Sequence, residues 1–331
     1  MSTILVEARL CPDGGLALDA IAETCRELGH FVYRWRGPYS GRVPYWKSFL
    51  HCDLAVIFNG SHEKYDPIVA RLREMGSRML FVEVGWFPQR DTVQIDPLGI
   101  NASSGWAREP LAAPGRTPLP VRPQGDLLLV LQLDGDSQIQ RLSPWFSGME
   151  PLVEFVCRHS ALPVRVRAHP KSQSNRALQQ LVASLGGTWD TSPTLQAAMQ
   201  TCRAVACINS SCGVEVLSQR LPLLCYGQAT YRHAGAVCCL DDDAAKTQAA
   251  TSELAAGRCR LLVERLEELY QRIMDHQWPL ESIPQKLPAL LRQVLPDPDT
   301  RVVPSLPWTR LIQRVIGEIP GVPPSPRRKA A

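Results

Sequence analysis

The chain has 331 residues, 45% of them hydrophobic and 21% charged. These proportions exclude wholesale disorder or a fibre and leave room for about two domains of roughly 150 residues. The net charge is +4, with Arg327, Arg328 and Lys329 in the tail, so the body lacks the cationic surplus of a nucleic-acid binder. No eighteen-residue apolar run predicts a membrane span, and the start MSTILVEARL, broken by Glu7 and Arg9, does not read as a signal peptide. Eleven cysteines lie scattered through apolar runs without zinc-ligand spacing, as expected of reduced, buried thiols in a cytoplasmic protein.

In chain order, Thr3 to Glu7 predicts a strand. Leu18, Ile21, Ala22, Cys25 and Leu28 recur at helical spacing up to Gly29. Phe31 to Arg34 and Asp53 to Phe58 predict strands, Ile68 to Met75 a helix stopped by Gly76, and Met79 to Glu83 a strand. Residues 112–125 hold four prolines and two glycines with no apolar periodicity, and predict a linker. The alternation then resumes, with strands at 127–131, 164–168, 204–208 and 223–226. Helices are expected at 151–159, 176–185, from Gly213 and at 261–273, the last with Glu264, Glu267 and Glu268 turned outward. Strand–helix–strand order predicts an α/β fold with two Rossmann-like domains facing a cleft. No GxGxxG or GxxxxGK[ST] follows any strand, which removes the main support for dinucleotide oxidoreductases and P-loop kinases.

Four strand ends carry polar residues that could do chemistry. Glu83, Gly85 and the Asn101-Ala102-Ser103-Ser104 turn could form an acceptor-side wall; alternatively, Asp96 and Asn101 simply make turn hydrogen bonds. In Gln132-Leu133-Asp134-Gly135-Asp136-Ser137-Gln138, the two acids fit a metal-holding DxD, a nucleophile or base oriented by the flanking glutamines, or a structural Asx turn. His169, held at a strand end by Pro170 and flanked by Arg167 and Lys171, could donate to a phosphate. Asn209-Ser210-Ser211-Cys212-Gly213-Val214-Glu215 leads into a helix and could hold an anion, or only cap the helix. Asp241, Asp242 and Asp243 read as a solvated helix start.

Taken together and in this order, these motifs resemble the capsule polysaccharide biosynthesis proteins, whose characterised members are Kdo transferases. The resemblance runs from about Asp53 to Val237 and also takes in Gly227 to Tyr231. It implies a GT-B glycosyltransferase of capsule or surface-polysaccharide biosynthesis that transfers Kdo, or a related sugar, from a CMP-sugar to a glycolipid or polysaccharide.

On this basis Asp136, Glu83 and His169 are the catalytic candidates. Gln132, Gln138, His169, Lys171, Asn209, Ser210, Ser211, Gly213 and Glu215 would serve the donor and its phosphate. Gly85, Asn101 and Ser103 would lie on the acceptor side. No cofactor and no metal are expected beyond the CMP-sugar co-substrate. No nucleic-acid partner is expected, while peripheral contact with the inner membrane or with polysaccharide export machinery is.

The domains are then an acceptor-side domain at 1–111, the linker at 112–125, a nucleotide-sugar domain at 126–300 and a basic, proline-rich tail at 301–331. Two rivals stay open: a metal-dependent transferase of nucleoside-diphosphate sugars using Asp134 and Asp136, and a catalytically silent scaffold of polysaccharide assembly or export.

Overall fold

A computed structural model describes residues 1–8, 12–38, 52–172 and 176–295. The tail at 301–331, with its expected membrane contact, lies outside the described residues. Residues 1–295 form one compact unit.

The first half contains β1 (Thr3–Ala8), α1 (Pro12–Glu27), β2 (Phe31–Arg36), β3 (Leu54–Phe58), α2 (Asp66–Glu74), β4 (Arg78–Val84) and β5 (Thr92–Asp96). The helical spacing of Leu18, Ile21, Ala22 and Cys25 puts all four in one fully buried face. Gly29 and Gly76 follow α1 and α2 at φ +81° and +72°, a left-handed turn that glycine enters without a Cβ clash. Strands β2, β1, β3 and β4 run parallel. β5 turns back antiparallel on β4, a hairpin-like return inside a stretch that reads as a loop in the sequence.

The second half contains β6 (Leu127–Val130), α3 (Ser137–Leu142), α4 (Met149–His159), β7 (Val164–Arg167), α5 (Arg176–Ser184) and β8 (Thr188–Trp189). It continues through α6 (Leu195–Thr201), β9 (Ala204–Cys207), α7 (Cys212–Ser218), β10 (Leu223–Cys225), β11 (Cys238–Cys239) and α8 (Ala244–Ala255). Its sheet is parallel throughout and ordered β8-β7-β6-β9-β10-β11. This is the Rossmann order, with the chain reversing direction across the sheet between β6 and β9. The two Rossmann-like sheets form the GT-B-like architecture expected from the sequence.

The chain then returns to the first half. After α9 (Val263–Asp275), β12 (Gln277–Pro279) pairs antiparallel with β5, and α10 (Ile283–Val294) follows. Ile283, Leu287 and Leu291 of α10 join the cluster of Leu18, Ile21 and Cys25. The expected boundary at 300 is therefore corrected: residues 277–294 belong with the first sheet, where β12 pairs with β5 and the apolar stripe of α10 packs against α1.

The α9 acids lie on the outer side as expected, but two of them are engaged by the linker. Glu268 accepts the backbone N–H groups of Ala112 (2.9 Å) and Ala113 (2.7 Å), and Glu264 accepts those of Arg116 and Thr117. A proline-rich linker has few ladder partners, so its amides take side-chain acceptors instead. Glu267 pairs with Arg220. All ten described cysteines are free thiols.

Candidate functional site

In open α/β sheets, ligands bind beyond the carboxyl ends of the strands where the strand order reverses. At that point in the second sheet, Gln132 follows β6 and Asn209 follows β9. The Asn209 amide N–H donates to Gln132 Oε1 (3.1 Å), and Gln132 Nε2 donates to Asn209 Oδ1 (2.9 Å). Asn209 Nδ2 donates further to the carbonyls of Gln138 and Leu142. Both residues were expected at the donor. Their amides bond to each other and to the backbone, tying the two loops together, and Gln132 also lines the cavity beside His169.

The corresponding point in the first sheet, between β1 and β3, holds a residue that the motifs did not indicate. Glu7 is 2% exposed and accepts from the Phe58 amide (2.9 Å) and the Tyr65 hydroxyl (2.8 Å). A lone acid ending an apolar strand was the available signal.

The two acids of the 134–136 loop serve different helices. Asp134 Oδ1 accepts the Met149 amide at the start of α4 (2.7 Å). Asp136 is the N-cap of α3, its Oδ1 accepting the Gln138 amide (2.9 Å). Its orientation is thus fixed by the Gln138 backbone, whereas the sequence suggested a glutamine side chain. Asp136 Oδ2 makes no hydrogen bond among the described residues.

His169 stands two residues beyond β7. Its Nδ1 accepts the Lys171 amide (3.1 Å), so the neutral ring carries its proton on Nε2 and can donate there. Burial holds its pKa below the ordinary histidine value. Lys171 pushes the same way, and the Asp136 carboxylate opposes both. Beside it opens a cavity of about 330 Å³ lined by Gln132, Asp134, His169, Lys171 and Ser172 with Leu131, Leu133, Met149, Ala168 and Leu178. Arg167 is not free to join Lys171 at a phosphate: it pairs with Asp190, which also binds Arg165, and it donates to the Ser192 carbonyl.

Ser210, Ser211, Gly213 and Glu215 gather around α7, away from the cavity lining. Ser210 Oγ accepts the Cys212 amide (3.3 Å). Ser211 Oγ accepts from Gln89 Nε2 of the first half (2.8 Å), and Arg141 reaches Asp66 across the same divide (2.5 Å). The carboxyl-end loops of the two sheets therefore face each other. At Gly213 a Cβ would come within 2.3 Å of the Tyr231 ring, so this glycine lets the tyrosine pack under the loop and donate to the Ser210 carbonyl. Glu215 is half-buried, and its raised pKa comes from that burial, offset by Arg167.

On the opposite side, Glu83 ends β4, with Oε2 accepting from Asn59 (2.7 Å) and Oε1 from the Val84 amide. Asn101 is held on both sides. Its Oδ1 accepts from Trp86 Nε1 and Gln94 Nε2, and its amide donates to Gln94 Oε1. Asp96 accepts from Leu98, Gly99 and Gly105 amides, the turn bonding considered from the sequence. Ser103 is exposed, and Gly85 leaves room for Thr92 and Gln277. Gln277 was not indicated by any motif; its Oε1 takes the amides of Trp86 and Phe87.

Residues 122–260 match the family described as "Capsule polysaccharide biosynthesis protein". The resemblance read from the motifs holds there, while the stretch from Glu83 to Ser104 lies outside the match. The curated Protein FixF of Sinorhizobium fredii (strain NBRC 101917 / NGR234) is 26% identical over 211 residues, 54% of this chain and 49% of that protein. The chain thus spans about half the length of this relative. Among solved structures, the Thermosulfurimonas dismutans KpsC beta Kdo 2,7 transferase aligns with 82% of this chain and 99% of its own, at 14% identity and TM-score 0.48. The beta Kdo 2,4 transferase of the same organism gives 81% and 89%, 13% and 0.48. Acinetobacter baumannii MurG gives 88% and 99%, 13% and 0.41.

Proposed function

We propose, from the premise that residues 122–260 are of the capsule polysaccharide biosynthesis type, that this glycosyltransferase-like chain transfers Kdo or a related sugar from a CMP-sugar donor. The acceptor is a glycolipid or polysaccharide of a surface-polysaccharide pathway. The observation that carries this reading is the His169 ring at the cavity, with Nδ1 engaged and Nε2–H left to donate.

A CMP leaving group bears a single phosphate. A hydrogen bond from His169 Nε2 and the Lys171 ammonium can offset its charge as the bond to the sugar breaks. Asp136, held by the Gln138 amide with one oxygen uncommitted, is the group assigned to the anomeric carbon. In a retaining transfer that oxygen attacks the sugar, CMP departs, and the acceptor hydroxyl then displaces the carboxylate from the covalent intermediate. Glu83 and Asn101, on the facing loops, line the side from which the acceptor approaches.

The test is donor hydrolysis and transfer with CMP-Kdo, CMP-sialic acid and UDP-sugars, each with and without EDTA. Turnover of CMP-Kdo that survives EDTA is expected. Activity restricted to UDP-sugars and abolished by EDTA would replace this reading with the metal-dependent one. No turnover of any donor, with the chain folded, would leave the scaffold reading standing.

A further inference from the structure

We infer that Asp134 selects the base of the donor nucleotide, accepting the 4-amino group of cytosine in the cavity beside β6. The inference rests on the reading of this chain as a user of CMP-activated sugars and adds to it the residue that distinguishes cytosine from uracil.

The cavity has opposed chemistry on its walls. His169 and Lys171, after β7, present hydrogen-bond donors, one of them a cation. Asp134, after β6, presents a carboxylate that only accepts. The same lining includes Leu131, Leu133, Met149 and Leu178, aliphatic and thioether groups suited to the faces of a flat ring. An occupant that meets each kind of lining group carries an anion, a flat apolar-faced ring and a donor at the ring edge. A cytidine monophosphate has this layout.

The placement of Asp134 favours the base over the ribose. Its Oδ1 holds the amide of Met149, a residue that lines the same cavity. That anchor leaves Oδ2 as the acceptor. A carboxylate accepts well from cytosine N4–H. Uracil carries a carbonyl oxygen at the same position, so the carboxylate would face an acceptor with no proton between them, at a cost in affinity. Asp134 thereby has a different task from Asp136: one reads the base, the other faces the sugar.

The test titrates the full chain with CMP, UMP and the pyrimidin-2-one ribonucleoside monophosphate, which lacks the 4-amino group. The wild-type chain should bind CMP about tenfold or more tighter than either of the others. Asp134→Asn keeps an oxygen for the Met149 amide and turns the other position into a donor. It should bring the CMP-to-UMP ratio close to one. An unchanged ratio in Asp134→Asn, or equal weakening of both nucleotides, would overturn the inference. So would wild-type binding that ignores loss of the amino group, a result that needs no variant to fold. If the wild type binds CMP without preferring it, Asp134 is not the selector, yet CMP-Kdo turnover can still uphold the transferase reading. If it binds none of the three, both fail.

Discussion

Gln132 and Asn209 exchange two hydrogen bonds across the point where the second sheet reverses its strand order, Asn209 N to Gln132 Oε1 at 3.1 Å and Gln132 Nε2 to Asn209 Oδ1 at 2.9 Å. Replacing either with Ala strands a partner in a buried or half-buried place. Each single variant should lose about 1–3 kcal/mol of stability in urea melts. Because they share the same bonds, the double variant should lose clearly less than the sum. Strict additivity would show that the two act independently.

Asp136→Asn keeps the N-cap of α3, since Asn and Asp cap about equally well. Its melting temperature should stay near wild type and it should still bind CMP, while sugar transfer falls by several orders of magnitude. Asp134→Asn should chiefly raise the donor KM and spare kcat. Near-normal turnover by Asp136→Asn would remove Asp136 from the chemistry. Equal loss in both variants, tuned by added divalent ion, would favour the DxD metal reading.

His169 gives a pH signature. Its pKa is depressed in the folded chain by burial and Lys171, so between that value and the ordinary one the unfolded chain binds more protons. Its contribution to stability is therefore complete above the ordinary histidine pKa of about 6.5 and is lost as pH falls below it. Bound phosphate has the opposite effect, drawing a proton onto the ring. CMP affinity should rise as pH falls towards the depressed value, beyond the change shown by His169→Gln, a comparison that cancels the titration of the nucleotide's own phosphate. Parallel pH profiles for the two proteins would place His169 away from the phosphate. At neutral pH, His169→Ala should weaken CMP about tenfold.

The acids of α9 hold the linker. The hydrogen bonds of Glu264 with Thr117, together with nearby amides, lower its pKa to about 2. Its grip therefore persists above the usual carboxylate range and is lost only as pH falls towards 2. Changing Glu264 and Glu268 together to Gln should weaken the clasp and speed tryptic cleavage after Arg116 at neutral pH. An unchanged cleavage rate would mean that buried Leu119 anchors the linker by itself.

The strands read at 3–7, 53–58, 79–83 and 127–131 were determined by the sequence to within a residue at either end, and so were the stops of the helices before Gly29 and Gly76. Burial repeats along a strand or a helix, and that repeat is local. The strand ends that carry polar groups were legible for the same reason, as were the turn bonding open to Asp96 and the helix start at Asp243. Which polar group meets which was decided only by the tertiary structure. Gln132 and Asn209 are 77 residues apart and Gln277 and Trp86 are 191 apart, and such pairs leave no periodic trace. The sequence presents Gln132, Asn209 and Asn101 as candidate site groups. In the fold the amides of all three tie loops together, and Gln132 also lines the cavity beside His169, Lys171 and Asp134, because an amide withdrawn from water must find a partner and a neighbouring loop supplies it.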